Sequence, residues 1–321
     1  MFCKKLEKIE WLKNVDPEVQ MIGVGGSFRN LCRMTKIMKK YPLKTIHNYV
    51  LNENDFDHVY ELLQGLDLDR KKKIKGLSSG RADILPSALA ATAAFKKYMN
   101  LGNIVISSSG LRTGLLVNYA IPTTQDKPIS DVLTLSMNTL VDFYGCNQKH
   151  VEQIVSLSVQ LFKQLRVLHK FPRQYLKILK VAAYLYESGK SVSFYNFEKH
   201  SGYIILNGTI HGITHRELVM ASFVVSSTGI DDVNLQEWAR FRDLVTDEDI
   251  DSVRKMGIML KIAACLDRSL SSVIKGINCD ILGDSVIMKT EVDGDATLEI
   301  NSALQVGSDF RKSFKKNLEI L

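Results

Sequence analysis

The chain has 321 residues, 45% hydrophobic and 24% charged, a composition that excludes collagen-like, coiled-coil and disordered classes. At about 150 residues per domain, its length predicts two domains with room for a small third. Lys and Arg number 42 against 35 Asp and Glu, a net charge of +7, which favours an anionic partner without choosing among nucleic acid, nucleotide and phosphate polymer.

Leu6, Ile9 and Leu12 share one helical stripe and predict a helix over residues 4–13, which Pro17 breaks before an apolar strand from Val19 to Val24. Gly25-Gly26-Ser27 then opens a helix from about Phe28 to Lys39, giving a strand, glycine turn, helix unit. A helix from Asp55 to Gly65, the basic turn Arg70 to Lys73, an alanine-rich helix from Ala82 to Met99 and a second buried strand, Asn103 to Ser107, follow. From Ser130 to Ser188, Arg216 to Val225 and Leu235 to Ser272 the period is helical throughout. After Gly276 the pattern alternates, and two strands, Ser285 to Glu291 and Ala296 to Ile300, are expected with a hairpin turn at Val292-Asp293-Gly294-Asp295 and a closing helix. Boundaries are expected near Gln125 to Pro128 and near Gly276 to Asn278.

Two turns carry the first candidate chemistry. At Gly25, Gly26 and Ser27 a strand hands over to a helix, where open backbone N–H groups and the positive helix end can hold a phosphate. The spacing is neither the dinucleotide fingerprint nor the P-loop, and a tight structural turn explains it equally well. Ser107 to Gly114 repeats the arrangement after the second strand, with Arg112 offering a guanidinium fork at the same end of the sheet. Arg70, Lys71, Lys72 and Lys73, with Lys75 and Arg81 close behind, can bind a polyanion, although such a run more often marks a solvated helix end. Aromatics are not interleaved with it, so nucleic acid is not an expected partner.

His211 and His215 stand four apart, but Gly212-Ile213-Thr214 between them reads as a turn, with Thr214 and Glu217 forming a capping box rather than a metal site. The five cysteines, none spaced C-x-x-C, fit neither a disulfide framework nor a thiolate zinc site. The longest apolar runs are too short to span a bilayer and no leader is read at the start, so a cytoplasmic protein is expected.

Several segments, in order, resemble the exopolyphosphatase and guanosine pentaphosphate phosphohydrolase (Ppx/GppA) family. Ile22 to Ser27 with Arg29-Asn30-Leu31 resembles its GVGG segment, Gly76-Leu77 with Arg81-Ala82-Asp83-Ile84 its GL and RADI segments, and Ser109 to Leu116 its GLREGLL segment. Ala182 to Leu185, Lys199-His200-Ser201 and Leu266-Asp267-Arg268-Ser269 continue the series. The resemblance covers the family's carboxyl-terminal portion only. It implies an α/β plus mainly α chain: the carboxyl-terminal part of an actin-like (sugar kinase and chaperone ATPase) phosphatase body over residues 1–126, a helical domain like the His-Asp phosphohydrolases over 127–275, and a small β-rich tail with a closing helix over 276–321.

The resemblance further implies release of terminal phosphate from inorganic polyphosphate or guanosine pentaphosphate, with Mg²⁺ in the complete enzyme. The family's two phosphate loops and its catalytic glutamate are not found in this sequence, so no catalytic residue and no metal ligand is carried over. Tyr186-Glu187 stands where many members have His-Asp before the glycine that here is Gly189, and Thr113 stands where the family has an acid. His200 and Asp267 are read as framework residues. The two strands of the actin-like part are expected to leave a bare edge that seeks a partner, either a complementing amino-terminal half or a second copy. The alternative is a non-catalytic protein that binds polyphosphate or guanosine polyphosphate.

Overall fold

Both glycine turns sit at the ends of parallel neighbouring strands. In a computed structural model, which describes residues 2–16, 18–121, 129–227 and 233–321 and no side chain for residues 2 and 3, the chain forms two units, Met1–Ser130 and Asp131–Leu321. The break read at Pro17 and the boundary read at Gln125 to Pro128 lie outside the described residues.

The first unit runs α1 (Phe2–Leu6), a 3-10 turn (Glu10–Asn14), β1 (Met21–Gly23), α2 (Gly26–Met38), β2 (Tyr49–Leu51), α3 (Glu53–Gln64) and α4 (Leu68–Lys72). A 3-10 turn (Ser79–Arg81), α5 (Leu85–Met99), β3 (Ile104–Ile106) and α6 (Leu111–Ala120) complete it. The helix expected over 4–13 is split into α1 and the first 3-10 turn, although Leu6 and Leu12 are both buried as the stripe requires. The sheet is not two-stranded. Its order is β1-β3-β2, with β3 parallel to β1 and antiparallel to β2; three residues, Tyr49 to Leu51, are too few to declare a strand by alternation.

One face of this sheet is packed and the other is not. Gly23, Ile104, Ile106, Tyr49 and Leu51 face a core closed by Leu31, Met34, Phe56, Leu63, Leu85 and Leu89 from three helices, where each large side chain removed from water contributes roughly 1.5–3 kcal/mol. On the opposite face Ile22, Val105 and Val50 line up across the strands, with Ile22 63% and Val50 53% exposed. Sheets with parallel pairs are ordinarily covered on both faces. The sheet therefore leaves an uncovered face in addition to bare outer edges at β1 and β2, each of which, among the described residues, pairs with β3 alone.

The second unit begins with α7 (Val132–Phe143), α8 (Gln148–Gln164), α9 (Arg166–His169), α10 (Tyr175–Tyr184), a 3-10 turn (Ser188–Ser191) and α11 (Phe197–Asn207). It continues with α12 (His215–Ser226), α13 (Leu235–Ala239) and α14 (Glu248–Cys265), then β4 (Ile274–Leu282), β5 (Ser285–Val292), α15 (Thr297–Leu304), α16 (Gly307–Phe314) and β6 (Asn317–Ile320). Short polar caps start the helices: Asp131 accepts from Thr134 N at 2.9 Å, Asn147 from His150 N at 3.4 Å, and Thr214 with Glu217 forms the expected capping box.

The carboxyl-terminal segment departs from the sequence reading. Ala296 to Ile300 lies largely in helix α15, not in a strand, and the hairpin turn is at Gly283-Asp284, joining β4 to β5, rather than at Asp293-Gly294. The boundary read near Gly276 to Asn278 falls inside β4. That strand is bound to α8 by glutamines on one helix face. Gln160 accepts from Ile277 N at 3.0 Å, Gln164 donates to Ile277 O and accepts from Cys279 N, and Gln153 donates to Ile274 O. Glutamines at this spacing satisfy strand backbone groups that would otherwise be unpaired.

Candidate functional site

At the carboxyl end of β1 the backbone turns through Gly25 at φ 106°, ψ −176°, a conformation open essentially to glycine alone, and enters α2 with no side chain capping its first turn. The N–H groups there are the unpaired donors of a helix N-terminus. At the end of β3, extended by Ser107 N donating to Gly23 O at 2.9 Å, Gly110 starts α6 in the same uncapped way. Parallel pairing puts both loops at the same carboxyl end of the sheet. Gly25, Gly26 and Ser27 therefore share that end with Arg112, which is exposed on the first turn of α6.

A further cation, Arg81, read in the sequence as trailing the basic run, joins the first loop. Buried Asn30 donates to Gly26 O at 2.7 Å and accepts from Ser78 N at 2.8 Å, so it ties the loop before the Ser79–Arg81 turn to the start of α2. The Arg81 guanidinium lies against Gly26, where a Cβ would collide with it. Gly26 thus provides room for a cation over a helix N-terminus, a pairing suited to a phosphate. Gly23 has a packing reason instead, since a Cβ there would strike the Phe28 ring.

The run Arg70 to Lys73 lies at the end of α4 and just beyond it. Asp67 accepts from Arg70 N at 2.8 Å and pairs with its guanidinium at 3.5 Å, and Lys72 pairs with Asp69 at 3.5 Å. Cations in the last turn of a helix complement its dipole, and Arg70 and Lys72 each have a carboxylate partner within the helix.

The second unit brings together charged residues that sequence spacing did not unite. His150 in the first turn of α8 is held between two carboxylates, Nδ1 at 2.6 Å from Asp267 Oδ2 and Nε2 at 3.2 Å from Glu187 Oε1. Asp267 follows α14 and also accepts from Ser272 N at 2.7 Å; Glu187 lies beyond α10 and is paired with Lys190. Burial opposes the imidazolium charge, but the hydrogen bonds that His150 donates to Asp267 and Glu187 outweigh it and push the His150 pKa up to about 9. Burial likewise opposes the charge of Glu187, yet hydrogen bonds from His150 and Lys190 hold its pKa below the usual carboxylate range. A cavity of about 410 Å³ opens beside them, walled by Tyr186, Phe194 and Phe197.

Ser201, rather than His200, positions the Glu187 loop. Its hydroxyl accepts from Gly189 N at 2.8 Å and donates to Tyr186 O at 2.6 Å, gripping the backbone on either side of Glu187. Gly189 admits α11, because a Cβ there would collide with backbone and with His200. With both His150 nitrogens engaged by carboxylates, the cluster is a closed ion-pair network. Among the described residues no group of three His, Cys, Asp or Glu side chains is placed to hold a metal ion. The described residues therefore offer no cluster of their own for the Mg²⁺ that the resemblance implies for the complete enzyme.

The Ppx/GppA phosphatase domain III model matches residues 132–305, and the Ppx/GppA phosphatase family model matches residues 3–121. Among curated proteins, the guanosine-5'-triphosphate,3'-diphosphate pyrophosphatase of Aeromonas salmonicida (strain A449) is 27% identical over 148 residues, 46% of this chain and 29% of the relative. The protein of the same name from Aliivibrio fischeri (strain MJ11) is 26% identical over 158 residues, 49% of this chain and 30% of the relative. The matched region thus spans less than a third of those relatives' length. Among solved structures, the Aquifex aeolicus Ppx/GppA family member overlaps 38% of this chain and 40% of its own, at 20% identity and a TM-score of 0.32. With a family model covering more than half of its length, the chain belongs to the Ppx/GppA phosphatase family.

Proposed function

We propose that the chain forms one wall of a phosphohydrolase cleft that releases terminal phosphate from guanosine pentaphosphate or inorganic polyphosphate. The carrying observation is the paired uncapped helix starts at the carboxyl end of the sheet, with Arg81 set over Gly26 and Arg112 on the helix after β3. In the reaction water attacks the terminal phosphorus, the bridging P–O bond breaks, and the shortened chain leaves with the electron pair. Negative charge on the terminal phosphoryl oxygens is what backbone N–H groups and guanidinium forks stabilise. The carboxylate that activates the water comes, in this reading, from a complementing polypeptide that covers the Ile22, Val105 and Val50 face. Arg70 to Lys73 is at most an outer contact for a long polyanion.

Phosphate release from guanosine pentaphosphate and polyphosphate, with Mg²⁺ present, tests this. The chain alone is expected to be silent. Adding the amino-terminal half of the Aeromonas salmonicida relative is expected to give turnover that falls at least ten-fold in Arg81→Gln or Arg112→Gln. Robust turnover by the chain alone refutes the dependence on a complementing segment, and turnover indifferent to both arginines refutes the placement of the site. Calorimetric binding that persists with no turnover in any combination favours a regulatory protein instead.

A further inference from the structure

A second anion-compatible feature lies at the other end of α2. Arg33, Lys36, Ile37 and Lys40 recur at helical spacing on one side of α2 and its extension, and with Tyr41, Leu43, Lys44 and Ile46 they line an open depression of about 560 Å³. Four of its lining residues are cations and none is acidic. Arg33, Lys40 and Lys44 are exposed and make no ion pair among the described residues. Lys39, outside the depression, does pair with Asp55, at 2.8 Å.

The floor is built rather than incidental. Lys36 is only 8% exposed; its amine donates to Thr45 O at 2.6 Å and sits 5.4 Å from the Tyr41 ring centre and 6.0 Å from that of Tyr49. Burial holds its pKa below the ordinary lysine range, a cost that an adjacent anion would offset. Gly76, at φ 92°, closes one end: a Cβ there would meet the α2 backbone at Arg33 and Met34, so only glycine permits the approach. Ile37 is 48% exposed and, with Leu43 and Ile46, supplies apolar surface between the cations.

A solvated helix face accounts for cations on α2 but not for a depression with an apolar floor and no counter-charge. Bare phosphate would leave that floor unused, and an uncharged ligand would leave the cations unused. The geometry points to a binding site for a condensed phosphate group carried on a planar, largely apolar body, the chemistry of a nucleoside polyphosphate. The base lies on Ile37, Tyr41, Leu43 and Ile46, and the phosphates meet Arg33, Lys40 and Lys44. The site is separate from the glycine turn, since Gly26 and Ile37 are roughly 16 Å apart along the helix at 1.5 Å per residue. It therefore stands or falls apart from the proposed phosphohydrolase reading.

Calorimetric titration of the full chain with GTP and with inorganic tripolyphosphate, in EDTA to suppress turnover, tests the proposal. GTP is expected to bind at least ten-fold more tightly than tripolyphosphate. Lys40→Glu with Lys44→Glu is expected to weaken both ligands at least ten-fold, whereas Ile37→Asn weakens GTP and leaves tripolyphosphate unchanged. Both sets of substitutions are at exposed positions, and Arg70→Glu with Lys71→Glu, which removes equal charge from the same unit, is the control. Absence of GTP binding, equal affinity for the two ligands, or a loss in the control pair matching that at Lys40 and Lys44 overturns it. So does binding lost in Arg81→Gln with Arg112→Gln instead, which would place the nucleotide at the glycine turn.

Discussion

Gly25 and Gly26 are adjacent, yet they are glycines for different reasons, and the difference separates a turn from a site. No atom lies within 4 Å of a Cβ built on Gly25, so only its backbone conformation forbids a side chain. Gly25→Ala is expected to cost about 1–3 kcal/mol in urea unfolding. Gly26 has helical backbone, and what forbids a side chain there is Arg81. Gly26→Ala is expected to leave the unfolding midpoint nearly unchanged while weakening phosphate binding, because the guanidinium must move. Equal stability losses in the two variants would remove the reason for placing an anion at this turn.

His150 allows a pH prediction at the same scale. Its folded pKa, about 9, lies above the ordinary value near 6.5. Its contribution to stability is therefore complete below about pH 6.5 and is lost as pH rises through 9. Glu187 is shifted down, so its contribution is complete above its ordinary value and is lost as pH falls through the depressed one. Urea midpoints should decline between pH 7 and 9, and His150→Gln should flatten that decline. The same variant leaves Asp267, 1% exposed, without its counter-charge, its remaining contact being the hydrogen bond from Ser272 N, so the variant should be destabilised at every pH. A pH profile unchanged by the substitution would show that the imidazole is neutral in the fold.

At the scale of elements, local chemistry was legible wherever it was sufficient. Thr214 and Glu217 announced a capping box three residues apart, and both halves are present. Thr214→Ala should cost about 1 kcal/mol, a fall of roughly 2–4 °C in melting temperature for a chain of this size; no fall would mean that packing alone starts α12. The helices α2, α3, α8 and α12 followed from apolar spacing. Elements whose identity depends on distant partners did not: β4 carries Gly276, Asn278 and Asp280, which disguise a strand satisfied by glutamines more than a hundred residues earlier. Ala296 to Ile300 alternates like a strand but packs as α15, with Glu299 accepting from Ser269 N at 3.0 Å. The site divides the same way. Strand-glycine-helix spacing exposed Gly25 and Gly26, whereas Arg81 arrives through a bond between Asn30 and Ser78, and His150 meets Asp267 across 117 positions.

For the whole molecule, the apolar surface that the first unit leaves uncovered decides between an autonomous protein and one that works in company. Helix α6 buries none of its residues; Leu111 is 81%, Leu115 61%, Leu116 69% and Tyr119 87% exposed. Ten residues are too few for a helix to be stable by itself in water, and contiguous exposed apolar surface marks an interaction site. The proposed complementing segment is the cover that this surface would take. Amides of α6 are therefore expected to exchange rapidly with deuterium in the isolated chain and slowly once a complementing amino-terminal half is bound, while those of α8 and α14 stay protected throughout. Leu115→Asp with Leu116→Asp should leave the chain's own stability within about 0.5 kcal/mol, since nothing buried is lost, and should abolish both the added protection and any turnover gained on complementation. Protection of α6 in the isolated chain, or complementation indifferent to two carboxylates on that surface, would mean that this helix and sheet face need no partner.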